Sequence, residues 1–140
     1  MKRQTRSSAL GVLALVMVLS TTAWAGRKAN YSVAITFSGD TGAASGAMGS
    51  ARNSDDTVQY IGCTVSASLA NTSIDISRAV TCSARNASNV TVACTSTEIS
   101  IIETAYAIAS DSYIRFEWGP GGQCTALSVR NYSYQPPKEL

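Results

Sequence analysis

Four cysteines, nine carboxylates and no histidine make up the reactive side chains of this 140-residue chain. Without histidine there is no Ser-His-Asp or Cys-His catalysis and no histidine-ligated metal site. The run Gly39-Asp40-Thr41-Gly42 is similar to the surroundings of a serine-protease nucleophile, but the chain holds no imidazole to act as its base. Asp40, Asp55, Asp56 and Glu103 are the carboxylates that a hydrolase could use. The spacing of the aspartates is not that of a calcium-binding EF-hand loop, and solvated turns account for them better. Glu98 and Glu103, five apart, point to different faces of a helix. The residues therefore predict no catalytic group, no metal and no cofactor.

Cys63, Cys82, Cys94 and Cys124 are separated by 19, 12 and 30 positions and contain no Cys-x-x-Cys pair. That pattern speaks against zinc and thioredoxin-like chemistry and for two structural disulfides in an oxidising compartment. The N-terminus agrees with that compartment. Lys2, Arg3 and Arg6 precede an apolar run from Ala9 to Leu19, and Ala23-Trp24-Ala25 has the small-x-small form of a signal peptidase site. The apolar run is shorter than the roughly 20 residues that span a bilayer. A cut after Ala25 removes 25 of 140 residues, three of them basic. It turns a net charge of +2 into one of −1, with 8 basic and 9 acidic side chains. The mature chain is then expected in the periplasm or outside the cell. It has no electrostatic footprint for nucleic acid and no membrane insertion after cleavage.

The elements that would position these residues follow from periodicity. Tyr31, Val33, Ile35 and Phe37 alternate with small or polar residues, which predicts a half-buried strand. Residues 38–54 are rich in Gly, Ala and Ser without a period and read as a long loop. Strands are predicted over 58–69, 75–85 and 90–94, with a turn at Asn71-Thr72-Ser73. A three-residue connection with Asn89 left-handed sets residue 84 opposite 92 and Cys82 opposite Cys94. This register favours Cys82–Cys94 with Cys63–Cys124. The pairing Cys63–Cys82 with Cys94–Cys124 stays open if Cys63 also lies beside Cys82. Thr95 and Glu98 form a capping box, and Ile99, Ile102, Ala105, Tyr106 and Ala109, widened by Ile101 and Ile108, predict an amphipathic helix over 96–109. Ile114, Phe116 and Trp118 alternate with Tyr113, Arg115 and Glu117, and a glycine-rich turn leads into a last strand over 124–129.

Several stretches, taken in order, resemble one group of proteins. They are Gly49-Ser50-Ala51-Arg52-Asn53-Ser54, Gln59-Tyr60-Ile61-Gly62-Cys63, Cys82-Ser83-Ala84-Arg85-Asn86, the strand from Ser112 to Trp118, Cys124-Thr125 and Pro137-Lys138. Together they are similar to small, secreted, uncharacterised bacterial proteins with four cysteines. The resemblance implies a bacterial exported protein with paired cysteines and carries over no activity.

The expected fold is α+β: a single antiparallel sheet of about six strands, one helix on its face, two disulfide staples and a short tail over 131–140. The expected function is non-enzymatic binding of a protein or envelope partner. Tyr113, Arg115 and Glu117 on an outer strand face, with Tyr132 and Tyr134, form the candidate interaction face, because Tyr and Arg are favoured at interfaces. A structural envelope component, or a small inhibitor presenting the 38–54 loop, is the alternative, and a carboxylate-dependent hydrolase comes after both. The leader gives the first prediction: N-terminal sequencing of protein recovered from outside the cytoplasm reads from Gly26, and recovery of chains that still begin at Met1 would refute cleavage.

Overall fold

The computed structural model describes residues 28–69 and 76–137. The leader, its cut after Ala25, the 71–73 turn and Lys138–Leu140 lie outside the described residues. Among the described residues, seven strands and two short helices follow one another as β1 (Ala34–Ser38), β2 (Thr41–Ala47), α1 (Met48–Arg52), β3 (Tyr60–Leu69), β4 (Ile76–Arg85), β5 (Thr91–Ser96), α2 (Ile99–Ala105), β6 (Tyr113–Trp118) and β7 (Cys124–Arg130). The fold is α+β and antiparallel, but the strands form two sheets in place of one. The first has the order β1-β2-β6-β7 and the second β3-β4-β5. Both sheets face one core, to which β4 gives Val80, Cys82 and Ala84, β6 gives Ile114, Phe116 and Trp118, and α2 gives Ile101, Ile102 and Ala105. Among the described residues no helix is long and apolar enough to cross a membrane.

The additional strand is β2, which occupies part of the segment expected to be a loop; α1 occupies another part. Its sequence, Thr-Gly-Ala-Ala-Ser-Gly-Ala, is small on both faces and so carries no alternation of polarity to betray it. Small size is what its position demands. It lies between β1 and β6, with Gly42 opposite both Phe37 and Trp118. A Cβ on Gly42 would run into the Trp118 ring and the Thr36 carbonyl, and one on Gly46 would stand 3.1 Å from the Val33 Cα. Main-chain pairing on both sides, which strand propensity does not capture, holds β2 in place.

The β4–β5 hairpin has the expected register, with Asn89 at φ 62° and Cys82 opposite Cys94. Even so, the disulfides are Cys63–Cys82 and Cys94–Cys124, which corrects the favoured pairing. The reason lies in the phase of the ladder. The Asn86 N–H donates to the Val90 carbonyl at 3.1 Å. Counting in twos, Cys82 and Cys94 form a hydrogen-bonded pair, while Cys63 and Cys82 form a non-hydrogen-bonded one. Facing Cα atoms come closer in the second kind, and here they are 4.0 Å apart. Cys82 therefore bonds toward β3 and leaves Cys94 to reach across to the other sheet.

The helix also differs from expectation. Thr95 remains in β5, where its N–H donates to the Gly122 carbonyl at 3.1 Å and its hydroxyl meets that of Thr81 at 3.1 Å. α2 thus begins at Ile99 with Glu98 as N-cap and no side-chain cap, and the Ser96 hydroxyl instead accepts the Glu98 N–H at 3.1 Å. Past Ala105 the chain continues in single turns to Ser112. The buried stripe also differs from the expected one: Ile101, Ile102 and Ala105 are buried, whereas Ile99 and Tyr106 are 70% and 63% exposed.

Two glycine substitutions separate close packing from backbone preference. Gly42→Ala overpacks the Trp118 contact and is expected to cost about 1–3 kcal/mol. Gly62→Ala places its methyl in open space and is expected to be neutral or to stabilise by up to about 1 kcal/mol. Urea unfolding midpoints at unchanged m-value measure both, and equal shifts would contradict this account of β2.

Candidate functional site

Tyrosines gather where the first sheet meets the two chain ends. Tyr113 opens β6 and lies opposite Ala47 on one side and Arg130 on the other. Alternation along β6 buries Ile114, Phe116 and Trp118 and turns Tyr113, Arg115 and Glu117 to the outer face. The Arg130 guanidinium sits over the Tyr113 ring at 5.6 Å. Tyr31, just before β1, meets Tyr113 edge-on at 5.3 Å, and Tyr134 approaches Tyr31 at 6.4 Å. Tyr132 and Tyr134 stack at 5.1 Å with their planes 13° apart. Tyr31 and Tyr132 remain exposed, and Tyr113 and Tyr134 are half-buried.

The segment that carries Tyr132 and Tyr134 is fastened at several points. The Tyr134 carbonyl accepts the Ala29 N–H at 2.9 Å, and the Tyr31 N–H donates to the Ser50 hydroxyl of α1 at 3.0 Å. Gln135, 5% exposed, closes a turn by accepting the Tyr132 N–H at 3.0 Å. Asn131 accepts from the Ser112 hydroxyl and donates to the Ala107 carbonyl at 3.1 Å. The Pro137 carbonyl accepts from Asn53 at 2.9 Å, and Pro136 lies so near Gly49 that α1 has no room for a side chain there. Burial, reinforced by the neighbouring Tyr31 and Tyr132 phenols, raises the Tyr134 phenol above its ordinary 10.0. The ring remains neutral in ordinary buffers and acts through its π-face and hydroxyl dipole. Aromatic pairs of this geometry contribute about 0.5–1.5 kcal/mol each, and an exposed Arg-over-ring contact about 0.5–1 kcal/mol.

Of the sequence-predicted face, the structure brings Tyr113, Tyr132 and Tyr134 together. Arg115 and Glu117 lie further along β6 and bind each other at 2.8 Å, with both side chains nearly half exposed. Such a surface pair contributes about 0–1 kcal/mol. Two members of the cluster, Tyr31 and Arg130, were not singled out from sequence. Alternation assigns Tyr31 to the core face of its strand, although only Val33 of that set is buried. Arg130 is hidden from a register extended from the glycine turn, because the ladder shifts between Glu117 and Trp118; without that shift Val129 would lie opposite Tyr113. The cysteines are all consumed in disulfides.

The candidate carboxylates do not converge. Asp40 sits in the β1–β2 turn, Asp55 and Asp56 in the loop after α1, and Glu103 on α2. Among the described residues no cluster of three or more His, Cys, Asp or Glu could hold a metal ion. Asp56 has a structural task. It accepts the N–H groups of Val58 and Gln59 at 3.0 and 3.1 Å, the Ser54 hydroxyl at 3.3 Å, and the Gln59 side-chain amide. So oriented, Gln59 Oε1 accepts the Val33 N–H at 2.8 Å and ties the start of the first sheet to this loop. A second open surface lies between β4 and α2, a groove of 450 Å³ walled by Ile76, Ile99, Ile102 and Tyr106 with Arg78 and Glu103 at its rim.

No family model, no curated protein and no solved structure matches the chain.

The Val58 N–H above all, with the Gln59 and Ser54 bonds, lowers the Asp56 carboxyl below its ordinary 3.8, against a smaller opposing effect of burial. A lowered folded-state value means that the stabilisation is complete above 3.8 and is lost as pH falls through the folded value. Asp56→Ala is therefore expected to melt below the wild type at neutral pH, with the gap closing under pH 3.8. A gap that persists unchanged in acid would show that the carboxylate charge is not its source.

Proposed function

We propose that this chain is an exported, non-enzymatic binding module whose contact surface is the Tyr31–Tyr113–Tyr132–Tyr134 cluster with Arg130, and whose partner is a protein of the cell envelope or the extracellular space. One observation carries the reading. Tyrosine rings and a guanidinium are assembled at the surface on a backbone fastened by Asn131, Gln135 and the Pro136–Gly49 contact. Tyr and Arg supply large contact area and hydrogen-bonding tips and dominate interface hot spots. A pre-ordered surface of this kind loses little side-chain entropy on binding.

The two disulfides support an oxidising compartment for the chain. The basic start at Lys2, Arg3 and Arg6, the apolar run from Ala9 to Leu19, the Ala23-Trp24-Ala25 sequence and the bacterial secreted group that the sequence resembles support export through the envelope. A structural envelope component is compatible with the same surface. An inhibitor presenting residues 38–54 as one long loop fits less well, because β2 and α1 occupy most of that segment and bury Ala43, Ala44, Ala47 and Ala51. The scattered carboxylates give a hydrolase no paired acid and base.

The test is affinity co-purification from the envelope fraction, with quantitative mass spectrometry of what is recovered. Tyr132→Ala is expected to reduce recovery of the partner by about 30-fold, the effect of a hot-spot residue. Arg115→Ala, which removes only a solvent-exposed ion pair, is expected to leave recovery unchanged. Identical recoveries with the wild type and with Tyr132→Ala would reject this surface as the binding site.

A further inference from the structure

Among the described residues the second sheet ends on β3, which is ten residues long and is paired there on one side only. From Tyr60 to Leu69 it has no charged residue and no proline, and its register with β4 runs through ten pairs without a bulge. Natural edge strands are guarded by charge, proline or irregularity against pairing with another chain, and β3 has none of these. The ladder phase that selected the disulfides also says which groups stand open. Cys63 forms a non-hydrogen-bonded pair with Cys82, so Cys63, Val65, Ala67 and Leu69 turn their N–H and C=O groups away from β4. Burial is concentrated near Ile61, and Ser66 to Leu69 are all exposed. β5 reaches back along β4 only to Val80. Beyond it, Ser66–Leu69 and Ile76–Ala79 form a two-stranded ribbon, on which the facing Leu69 and Ile76 are 74% and 50% exposed. A ribbon of two strands is marginal in water unless more strands join it.

We propose that β3 pairs antiparallel with β3 of a second copy of this chain, about a two-fold axis at Ser66. The strand is its own complement in that register. Val65 meets Ala67 of the second copy and Cys63 meets Leu69 on one face. On the other face, Ser66 meets Ser66 and Thr64 meets Ser68. Apolar residues face apolar ones, hydroxyls face hydroxyls, and no charge meets its like. Every outward N–H and C=O from Cys63 to Leu69 gains a partner, and the two sheets become one sheet of twice the width. A shift by one residue would set the apolar face against the hydroxyl face. The surface is separate from the tyrosine cluster, whose strand residues, Tyr113 and Arg130, belong to the other sheet.

The axis supplies the experiment. Ser66 pairs with itself at a non-hydrogen-bonded position, where facing Cα atoms lie about 4.5 Å apart, within reach of a disulfide. In the full chain with its native disulfides intact, Ser66→Cys is expected to give a disulfide-linked dimer under mild oxidation. Ser68→Cys, which faces Thr64, is expected to cross-link at least about tenfold more slowly. Sedimentation equilibrium is expected to show a concentration-dependent wild-type dimer. Ser66→Lys, which sets two ammonium groups face to face, is expected to weaken it at least about tenfold at unchanged near-UV circular dichroism. If Ser66→Lys loses its native spectrum, the cross-linking comparison decides. A wild type that stays monomeric to its solubility limit, equal cross-linking at positions 66 and 68, or a dimer indifferent to folded Ser66→Lys would each overturn the proposal.

Discussion

The fold depends on one seam. Neither sheet can bury its apolar face alone: the first offers Ile114, Phe116 and Trp118, the second Val80, Cys82 and Ala84, and all of them lie in one cluster. The sheets are joined where β5 meets β7, by the Cys94–Cys124 disulfide, the Thr95 to Gly122 hydrogen bond and an isolated parallel bridge between Thr95 and Gln123. A disulfide closing a loop of this length contributes about 3–4 kcal/mol in the chain-entropy account. That is a large share of the roughly 5–15 kcal/mol that holds a domain folded. The other disulfide, Cys63–Cys82, staples two strands already paired along their length. The bridges are thus unequal in consequence: one reinforces a hairpin and the other joins the halves of the molecule.

How much of this is legible in the sequence depends on whether a local signal and a tertiary demand coincide. They coincide in the hairpins. Val80, Cys82 and Ala84 alternate, Asn89 supplies the left-handed residue, and the register of β4 on β5 follows. They diverge in β2, where the tertiary demand is for smallness beneath Trp118 and Val33, and smallness resembles a loop. They diverge again at Thr95, whose capping pattern with Glu98 is genuine chemistry. Its N–H and hydroxyl are nevertheless engaged by Gly122 and Thr81, so the strand runs on and the helix starts late. The disulfide pairing was within reach. The turn sets Cys82 opposite Cys94, but in an antiparallel ladder the kind of pair decides which neighbour is nearer, and that favours Cys63.

The candidate site shows the same division. Tyr113, Tyr132 and Tyr134 were identifiable as residues that strand alternation and a terminal tail leave outside the core. Their convergence with Tyr31 and Arg130 was not, because it depends on the tail folding back over α1 and on a glycine at position 49 small enough to admit Pro136. The carboxylates that first suggested chemistry have structural or surface settings instead. Asp40 sits in the β1–β2 turn, Asp56 organises the loop that holds Gln59 against Val33, and Glu98 stands at the head of α2. Scattered acids engaged in this way leave the tyrosine surface as the feature that packing does not explain.

Two surfaces on different sheets bear on what such a small protein can do. A single tyrosine patch on a domain of this size covers limited area, and interfaces well below the standard size are weak or transient. Pairing through β3 leaves Tyr113 and Arg130 of each copy outside the new sheet junction, because they belong to β6 and β7. A two-fold assembly therefore carries two identical contact surfaces at a fixed separation. Against a partner that repeats along an envelope, the second contact becomes intramolecular and its effective concentration replaces the bulk one. Weak binding by each tyrosine cluster is then compatible with tight retention of the pair, and the uncharged edge of β3 gains a reason to have been left without the guards that edge strands usually carry.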